Sequence, residues 1–372
     1  MGEKGGVEAH KEPLTGLYVH IPFCRRKCKY CHFFSVPYKE ELEDPFLSAV
    51  LREFFEEKKE IKFDTLYLGG GTPSLLSEKS WERFSSFVEE GMVELTVEVN
   101  PEDRLNFRLL RQIGFNRISI AAISFNESLL DLVGRRHGKE DIYRTFSEAE
   151  KAGFENLNLD LIYGIPGQLS EDFIKDLKEA LGLRPVHVSL YMLELHANTL
   201  LGKEDPFVRE EDVVLAYERA RKILAKEGYE QYEISNFAKP GYRSHHNLKY
   251  WKCLPYIGLG PSAVSFLGRK RWKNLASLRQ YISALSRGDR PIREEEHLSQ
   301  EELFREKVIM GLRLREGVRL AEEEVPENLR ESFRFKVEEL LAEGLLEKDH
   351  GRIKIPDEKV LVTNEILLRL LW

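Results

Sequence analysis

The sequence predicts an α/β fold: a full or partial (β/α) barrel, then a small C-terminal domain of helices and a β-hairpin. Three observations carry this. Six short apolar runs recur through the first half, most followed by a charged, amphipathic stretch. The residues able to do chemistry cluster at the C-terminal ends of those runs, where barrel enzymes place their sites. A polar stretch near residue 290 then separates this pattern from a helix–helix–hairpin ending.

The strand candidates are GLYVHIPF (16–23), TLYLGGG (65–71), LTVEVN (95–100), RISIAAI (117–123), NLNLDLIYG (156–164) and HVSLYML (187–193). They are rich in β-branched and aromatic residues. Between them, PFLSAVLREFFEEKKE (45–60) carries apolar residues at Phe46, Leu47, Val50, Leu51, Phe54 and Phe55, a helical stripe. EDFIKDLKEALGL (171–183) repeats it at Phe173, Ile174, Leu177, Ala180 and Leu181. Strand–helix alternation of this kind calls for parallel strands joined by right-handed crossovers. The expected layout is an N-terminal tail over 1–15, a barrel over 16–285 with an aromatic-rich segment at 242–272, a linker over 286–300 and a C-terminal domain over 301–372. In that last domain Asp349-His350-Gly351 between apolar strands signals a hairpin, which suggests a winged-helix-like unit.

The chain has 372 residues, enough for a large barrel plus a smaller unit. Its formal charge of −7 lacks the basic footprint of a nucleic-acid binder. No apolar run approaches the roughly 20 residues that span a bilayer, and the N-terminus lacks the apolar core of a signal peptide. Three of the four cysteines fall within one stretch, CRRKCKYC, so a secreted disulfide framework is not expected. A reducing cytoplasm suits thiolates and metal chemistry better.

Cys24, Cys28 and Cys31 form C-x3-C-x2-C, three sulfurs on one tight loop. Thiolates hold iron–sulfur clusters and structural zinc. On a [4Fe–4S] cubane, three cysteines leave one iron open to a small ligand. The residues alone also allow zinc with His32 or Cys253 as fourth ligand, in a zinc-binding interaction protein, or a reactive-thiol loop.

YVHIPFCRRKCKYCHFF, LYLGGGTPSLL, TVEVNP and NLDLIYGIPGQ, in this order, resemble the radical S-adenosylmethionine (SAM) proteins of the oxygen-independent coproporphyrinogen III oxidase branch. The resemblance spans roughly residues 16 to 370 and implies a radical SAM partial, TIM-like barrel. The oxidases carry a further cysteine where this chain has Phe33. EQYEISNFAKPGY and His246-Asn247-Leu248-Lys249-Tyr250-Trp251 are similar instead to the HNxxYW region of HemW-type haem chaperones. That family resemblance implies a [4Fe–4S] cluster, SAM and haem, with delivery of haem to an acceptor protein. If SAM is cleaved to methionine and a 5′-deoxyadenosyl radical, an electron donor such as flavodoxin or ferredoxin is implied. A homodimer is compatible with it. The alternative is the oxidase activity itself, oxidative decarboxylation of porphyrinogen propionates.

Carried onto this sequence, the resemblance makes Cys24, Cys28 and Cys31 the cluster ligands. Gly70, Gly71 and Thr72 would approach SAM by backbone and hydroxyl, since glycine admits close contact. Glu98 and Asp160 would accept hydrogen bonds from its ammonium or ribose. Arg135 would meet a carboxylate with its planar fork, although Arg136 is easily confused with it. Tyr18 and Tyr30 match aromatic positions near SAM. Two departures stand out. Ile123 replaces a family glutamine, and the family's histidine in a GAHSY-like segment is absent from Ser262-Ala263-Val264-Ser265-Phe266. His246 is the leading haem ligand, with a hydrogen-bonded structural corner as the competing reading. His20 is expected to pack beneath the cluster, His137 to lie at the surface, and Cys253 to be a small buried hydrophobe.

Overall fold

The computed structural model describes residues 14–371, so the expected tail lies outside the described residues except at its end. Six parallel strands stand in chain order: β1 (Thr15–Ile21), β2 (Phe63–Gly70), β3 (Glu94–Val99), β4 (Arg117–Ile123), β5 (Asn156–Tyr163) and β6 (His187–Met192). Beyond β6 lie two short antiparallel strands, β7 (Glu230–Gln231) and β8 (Asn236–Ala238). On the other edge β9 (Tyr256–Leu259) pairs parallel with β1. Antiparallel β10 (Val264–Leu267), β11 (Lys270–Asn274) and β12 (Ile292–His297) follow it. Among the described residues the sheet has 12 strands and ends on β12 and β7, which makes a partial barrel.

Strand alternation gives the barrel two different faces. Leu66, Leu68, Val97, Val99, Ile118, Ile120, Leu159 and Leu161 point outward into the main core. Helix α1 (Glu43–Glu57) covers part of it with Phe46, Leu47, Val50 and Phe54, and α2 (Ser170–Gly182) adds Phe173, Ile174 and Leu177. Each such side chain contributes roughly 2 kcal/mol by leaving water. Leu51 is only partly buried and Phe55 is exposed, so the apolar stripe of α1 is narrower than its sequence suggests.

The inner face is polar. Tyr67, Glu98, Ser119, Asn158, Asp160 and His187 occupy inward positions on successive strands, where they hydrogen-bond to one another. Asn158 Nδ2 donates to Ser119 Oγ at 2.7 Å, Ser119 Oγ to Asp160 Oδ2 at 2.9 Å and His187 Nδ1 to Asn158 Oδ1 at 2.6 Å. Buried polar groups survive only when partnered in this way.

The stretch 286–300, expected as a linker, contains β12. Its charges hid it. Glu295 pairs with Lys270 at 2.9 Å and Glu296 with Arg271 at 3.1 Å across β11, so the run of glutamates is held by opposite charge rather than by an apolar face. A second apolar cluster follows, including Phe304 and Val308 of α3 (Gln300–Gly311), Leu340 of α4 (Arg330–Ala342), and Ile366 and Leu367 of α5 (Thr363–Leu371). The hairpin pairs Glu347–Asp349 with Arg352–Lys354. His350 and Gly351 at its tip have φ of 46° and 77°, the left-handed pair that a two-residue turn needs.

Candidate functional site

Cys24 ends a short strand, Phe23–Cys24, that pairs with Val36–Pro37. Tyr38 N donates to Cys24 O at 2.9 Å and Val36 N to Pro22 O at 2.7 Å, so the cysteine loop is stapled at its base. His20 lies beneath it. Its Nε2 donates to Phe34 O at 2.8 Å, which leaves Nδ1 to accept from the Tyr18 hydroxyl at 3.1 Å. Burial lowers the His20 pKa to about 4, so the ring is neutral and structural. Lys29 N donates to Val133 O at 3.0 Å and Leu201 N to Lys29 O at 2.9 Å, tying the loop to the segments after β4 and β6.

The three thiols are half-buried, and burial raises the pKa of Cys24 and Cys31. Bound metal reverses that logic and holds thiolates. Among the described residues no three His, Cys, Asp or Glu side chains gather around one point, as a single zinc ion requires. A cubane asks for a different arrangement, because each cysteine binds a separate iron. The donor set fits a cluster, with one thiolate for each of three irons. Cys253 stands apart, with Glu306 and Arg271 as its charged neighbours.

A cavity of about 440 Å³ opens beside this loop, at the C-terminal ends of the strands. Its lining includes Cys24, Cys28, Tyr30 and Cys31 on one wall and Gly70, Gly71, Thr72, Glu98, Arg135 and Asp160 around the rest. Two glycines are sterically required. Gly70 has φ +105°, and a Cβ there would lie 2.4 Å from the His20 ring. A Cβ on Gly71 would lie 2.6 Å from Phe23 O. Thr72 Oγ1 reaches Cys24 Sγ at 3.6 Å and accepts from Asn100 Nδ2 at 3.2 Å. Tyr18 lies outside this lining, bonded to His20.

The carboxylates sit in the cavity wall, each partly exposed. Glu98 accepts from the Tyr67 hydroxyl at 2.8 Å and Gly70 N at 3.3 Å, yet burial pushes its pKa up to about 7. Burial also raises Asp160, although Ser119 and Asn158 donate to it. Arg135 donates to Asn100 and to Tyr30, while its Nε is buried without a hydrogen-bond partner. That orphaned donor in a cavity wall fits an anionic ligand group. Arg136 is exposed, which separates the two arginines.

Ile123 lines the same cavity in an unusual backbone state, with φ 66°. Ser124 N donates to Ala122 O at 2.8 Å, closing a γ-turn around it. A β-branched residue there is strained by about 1–3 kcal/mol. Neighbours hold it: Phe125 N donates to Asp176 Oδ1 at 2.9 Å, Ser124 Oγ also reaches Asp176, and His137 Nε2 donates to Ala122 O at 2.9 Å. His137 is therefore buried, not at the surface as expected, because the turn's carbonyl and Glu102 occupy its two ring nitrogens' directions.

His246 stands apart from this cavity. It lies in the short helix His245–Trp251 at the opposite, N-terminal end of the barrel, and is 0% exposed. Its Nδ1 pairs with Thr65 Oγ1 at 2.9 Å and its Nε2 with the Tyr250 hydroxyl at 2.8 Å. Tyr67 stacks on it at 5.2 Å. Both ring nitrogens are thus engaged inside the barrel floor. The buried Glu94 accepts from Ser244 Oγ, His245 N and His246 N, which fixes the helix start under the barrel. HNLKYW thus builds the barrel floor, the structural corner.

Three further residues join the site. Tyr67 holds Glu98, Asn100 bridges Thr72 and Arg135, and His196 stacks on His32 at 4.0 Å. Tyr67 and Asn100 lie inside strand motifs, where period-two alternation from Gly69 and Glu98 marks their face. Nothing local marks His196.

A family model described as the radical SAM superfamily matches residues 18–180, and one described as the HemN C-terminal domain matches 298–362. The chain is similar to heme chaperone HemW of Lactococcus lactis, at 34% identity over 96% of this chain and 97% of the relative. It is similar to heme chaperone HemW of Bacillus subtilis, at 30% over 95% and 98%, and to that of Escherichia coli, at 38% over 68% and 70%. The solved structure of coproporphyrinogen III oxidase (HemN) from Escherichia coli shares the fold, with TM-score 0.82, 23% identity, 96% of this chain and 90% of that one. The radical SAM domain implies a [4Fe–4S] cluster and SAM. With relatives of this identity along nearly its whole length, the chain belongs to the HemW family of radical SAM proteins.

Proposed function

We propose that the protein binds a [4Fe–4S] cluster on Cys24, Cys28 and Cys31, binds SAM in the cavity, and delivers haem to an acceptor protein. One observation carries the reading. A three-cysteine loop with Phe33 in place of a fourth cysteine walls a cavity whose other side offers Arg135, Glu98 and Asp160. When bound, the cluster supplies an open iron and one-electron chemistry.

The chain's own residues would orient SAM. The free Nε of Arg135 suits a carboxylate, Glu98 an ammonium and Asp160 a ribose hydroxyl. Gly70 and Gly71 let the backbone approach closely. Ile123 presents hydrocarbon where the family has an amide. An electron donor such as flavodoxin or ferredoxin enters only if SAM is cleaved. Reduced thiols suit the cytoplasm, and among the described residues no helix is long and apolar enough to cross a membrane.

The test is anaerobic reconstitution, followed by haem titration monitored at the Soret band and by incubation with coproporphyrinogen III, SAM and reductant. The expected result is about four irons per chain, saturable haem binding, haem transfer to an acceptor and no protoporphyrinogen. Protoporphyrinogen would make the protein an oxidase instead. Stoichiometric zinc without iron would overturn the cluster.

A further inference from the structure

The cavity mouth carries two imidazoles that cluster and SAM leave unused. His32 from the cysteine loop and His196 from the segment after β6 stack at 4.0 Å with a 48° tilt. Among the described residues no hydrogen bond engages the His32 ring. His196 Nε2 faces the Glu194 carboxylate at 3.4 Å, which orients that ring. Phe33 lies beside His32 at 4.6 Å and is 56% exposed, and Met192 on the same mouth is 51% exposed. Arg26 and Arg136 also line it, and neither is in an ion pair among the described residues.

This combination does not suit a bare ion, since no three donors converge. It suits a metal that arrives with its own equatorial ligands. A haem iron brings four nitrogens and needs one or two axial ligands from protein. Its flat faces want apolar and aromatic contacts, and its two propionates want cations. The mouth offers an imidazole, an exposed ring, a thioether and two unpaired arginines together. We propose that an iron porphyrin docks across the cavity mouth with His32 as axial ligand, His196 stacked beside it, and its propionates on Arg26 and Arg136. The proposal rests on the haem-carrier reading. It moves the cargo from the barrel floor to the rim, beside the cysteine loop.

The test titrates cluster-reconstituted, full-length protein with haemin while recording the Soret band and the electron paramagnetic resonance of the ferric iron. His32→Ala is expected to shift the band and weaken binding by about tenfold or more. Added imidazole should restore the original spectrum of that variant. Arg26→Glu with Arg136→Glu should weaken binding severalfold without moving the band, because charge changes and ligation does not. His196→Ala should weaken binding less than His32→Ala. Iron and sulfide content report separately whether each loop variant keeps its cluster. Saturable wild-type binding with an unchanged band in His32→Ala overturns the proposed ligand and leaves the carrier reading standing. Unchanged affinity in the double arginine variant overturns the rim placement, even where His32→Ala loses its cluster. Absence of saturable binding by the wild type overturns both.

Discussion

Arg135 Nη2 donates to the Tyr30 hydroxyl at 3.1 Å, while Nη1 of the same guanidinium donates to Asn100 Oδ1 at 2.6 Å. One planar group thus joins the cysteine loop to the end of β3. Neither contact is visible from sequence separation, which is 105 and 35 residues. A lysine has no fork and cannot make both contacts while offering a third donor inward. Arg135→Lys is expected to weaken SAM binding to reconstituted protein by about tenfold, a loss of the size of one charged hydrogen bond. Arg136→Lys should change it little. Isothermal titration under anaerobic conditions compares them, and equal losses would remove Arg135 from the SAM site.

Ile123 combines a strained backbone with a missing amide. Restoring the amide with Ile123→Gln adds a polar group at the cavity wall and removes the Cβ branch that makes positive φ costly. One regained hydrogen bond of about 1 kcal/mol corresponds to roughly fivefold tighter SAM binding. Weaker binding in Ile123→Gln would mean that the hydrocarbon itself packs on the ligand.

His246→Ala should behave as a core lesion. It leaves the Thr65 and Tyr250 hydroxyls buried without their partner and removes the ring beneath Tyr67. The expected cost is about 2–4 kcal/mol in denaturant unfolding, with the Soret position of bound haem unchanged. A shifted Soret band in a variant of near-native stability would return His246 to the role of ligand.

Glu98 sets a pH dependence. Burial lifts its pKa from 4.5 to about 7, with the like charge of Asp160 adding to the rise. The folded chain therefore favours the protonated form. Stability from this group is fully present below about pH 4.5 and is lost as pH rises through about 7. Glu98 should therefore contribute less to the melting temperature of the ligand-free protein at about pH 8 than at about pH 5, while the buried His20 and His246 rings, held below the usual imidazole range, add slope of the opposite sign. Burial raises Glu53 and Glu233 to about 7 as well, so they add slope of the same sign as Glu98. Glu98→Gln removes one such contribution, so its stability relative to the parent should rise from about pH 5 to about pH 8. An identical slope in Glu98→Gln would mean that Glu98 is ionised throughout.

The strand order and the cysteine loop were legible because they rest on local signals. Apolar runs, the spacing of three thiols and a glycine run after a strand each carry meaning within a few residues. The polar inner face was less legible. Thr96, Glu98, Ser119 and Asn158 look like interruptions of apolar strands until alternation assigns them to one side. The strand within 286–300 looks like a linker in sequence because its partners, Lys270 and Arg271, supply the charges that hold it from another strand.

By itself the sequence determined the parallel sheet, the three-cysteine loop and the family, since hydrophobic period and residue spacing are properties of neighbours along a chain. Only the tertiary structure decided which histidine is sealed and which is accessible. His246 is sealed into the barrel floor by Thr65, Glu94 and Tyr250, whereas His32 meets His196 at the opening. A side chain's free lone pairs depend on what folding brings against it, and of these partners only Tyr250 is a near neighbour in sequence; Thr65, Glu94 and His196 come from more than a hundred residues away.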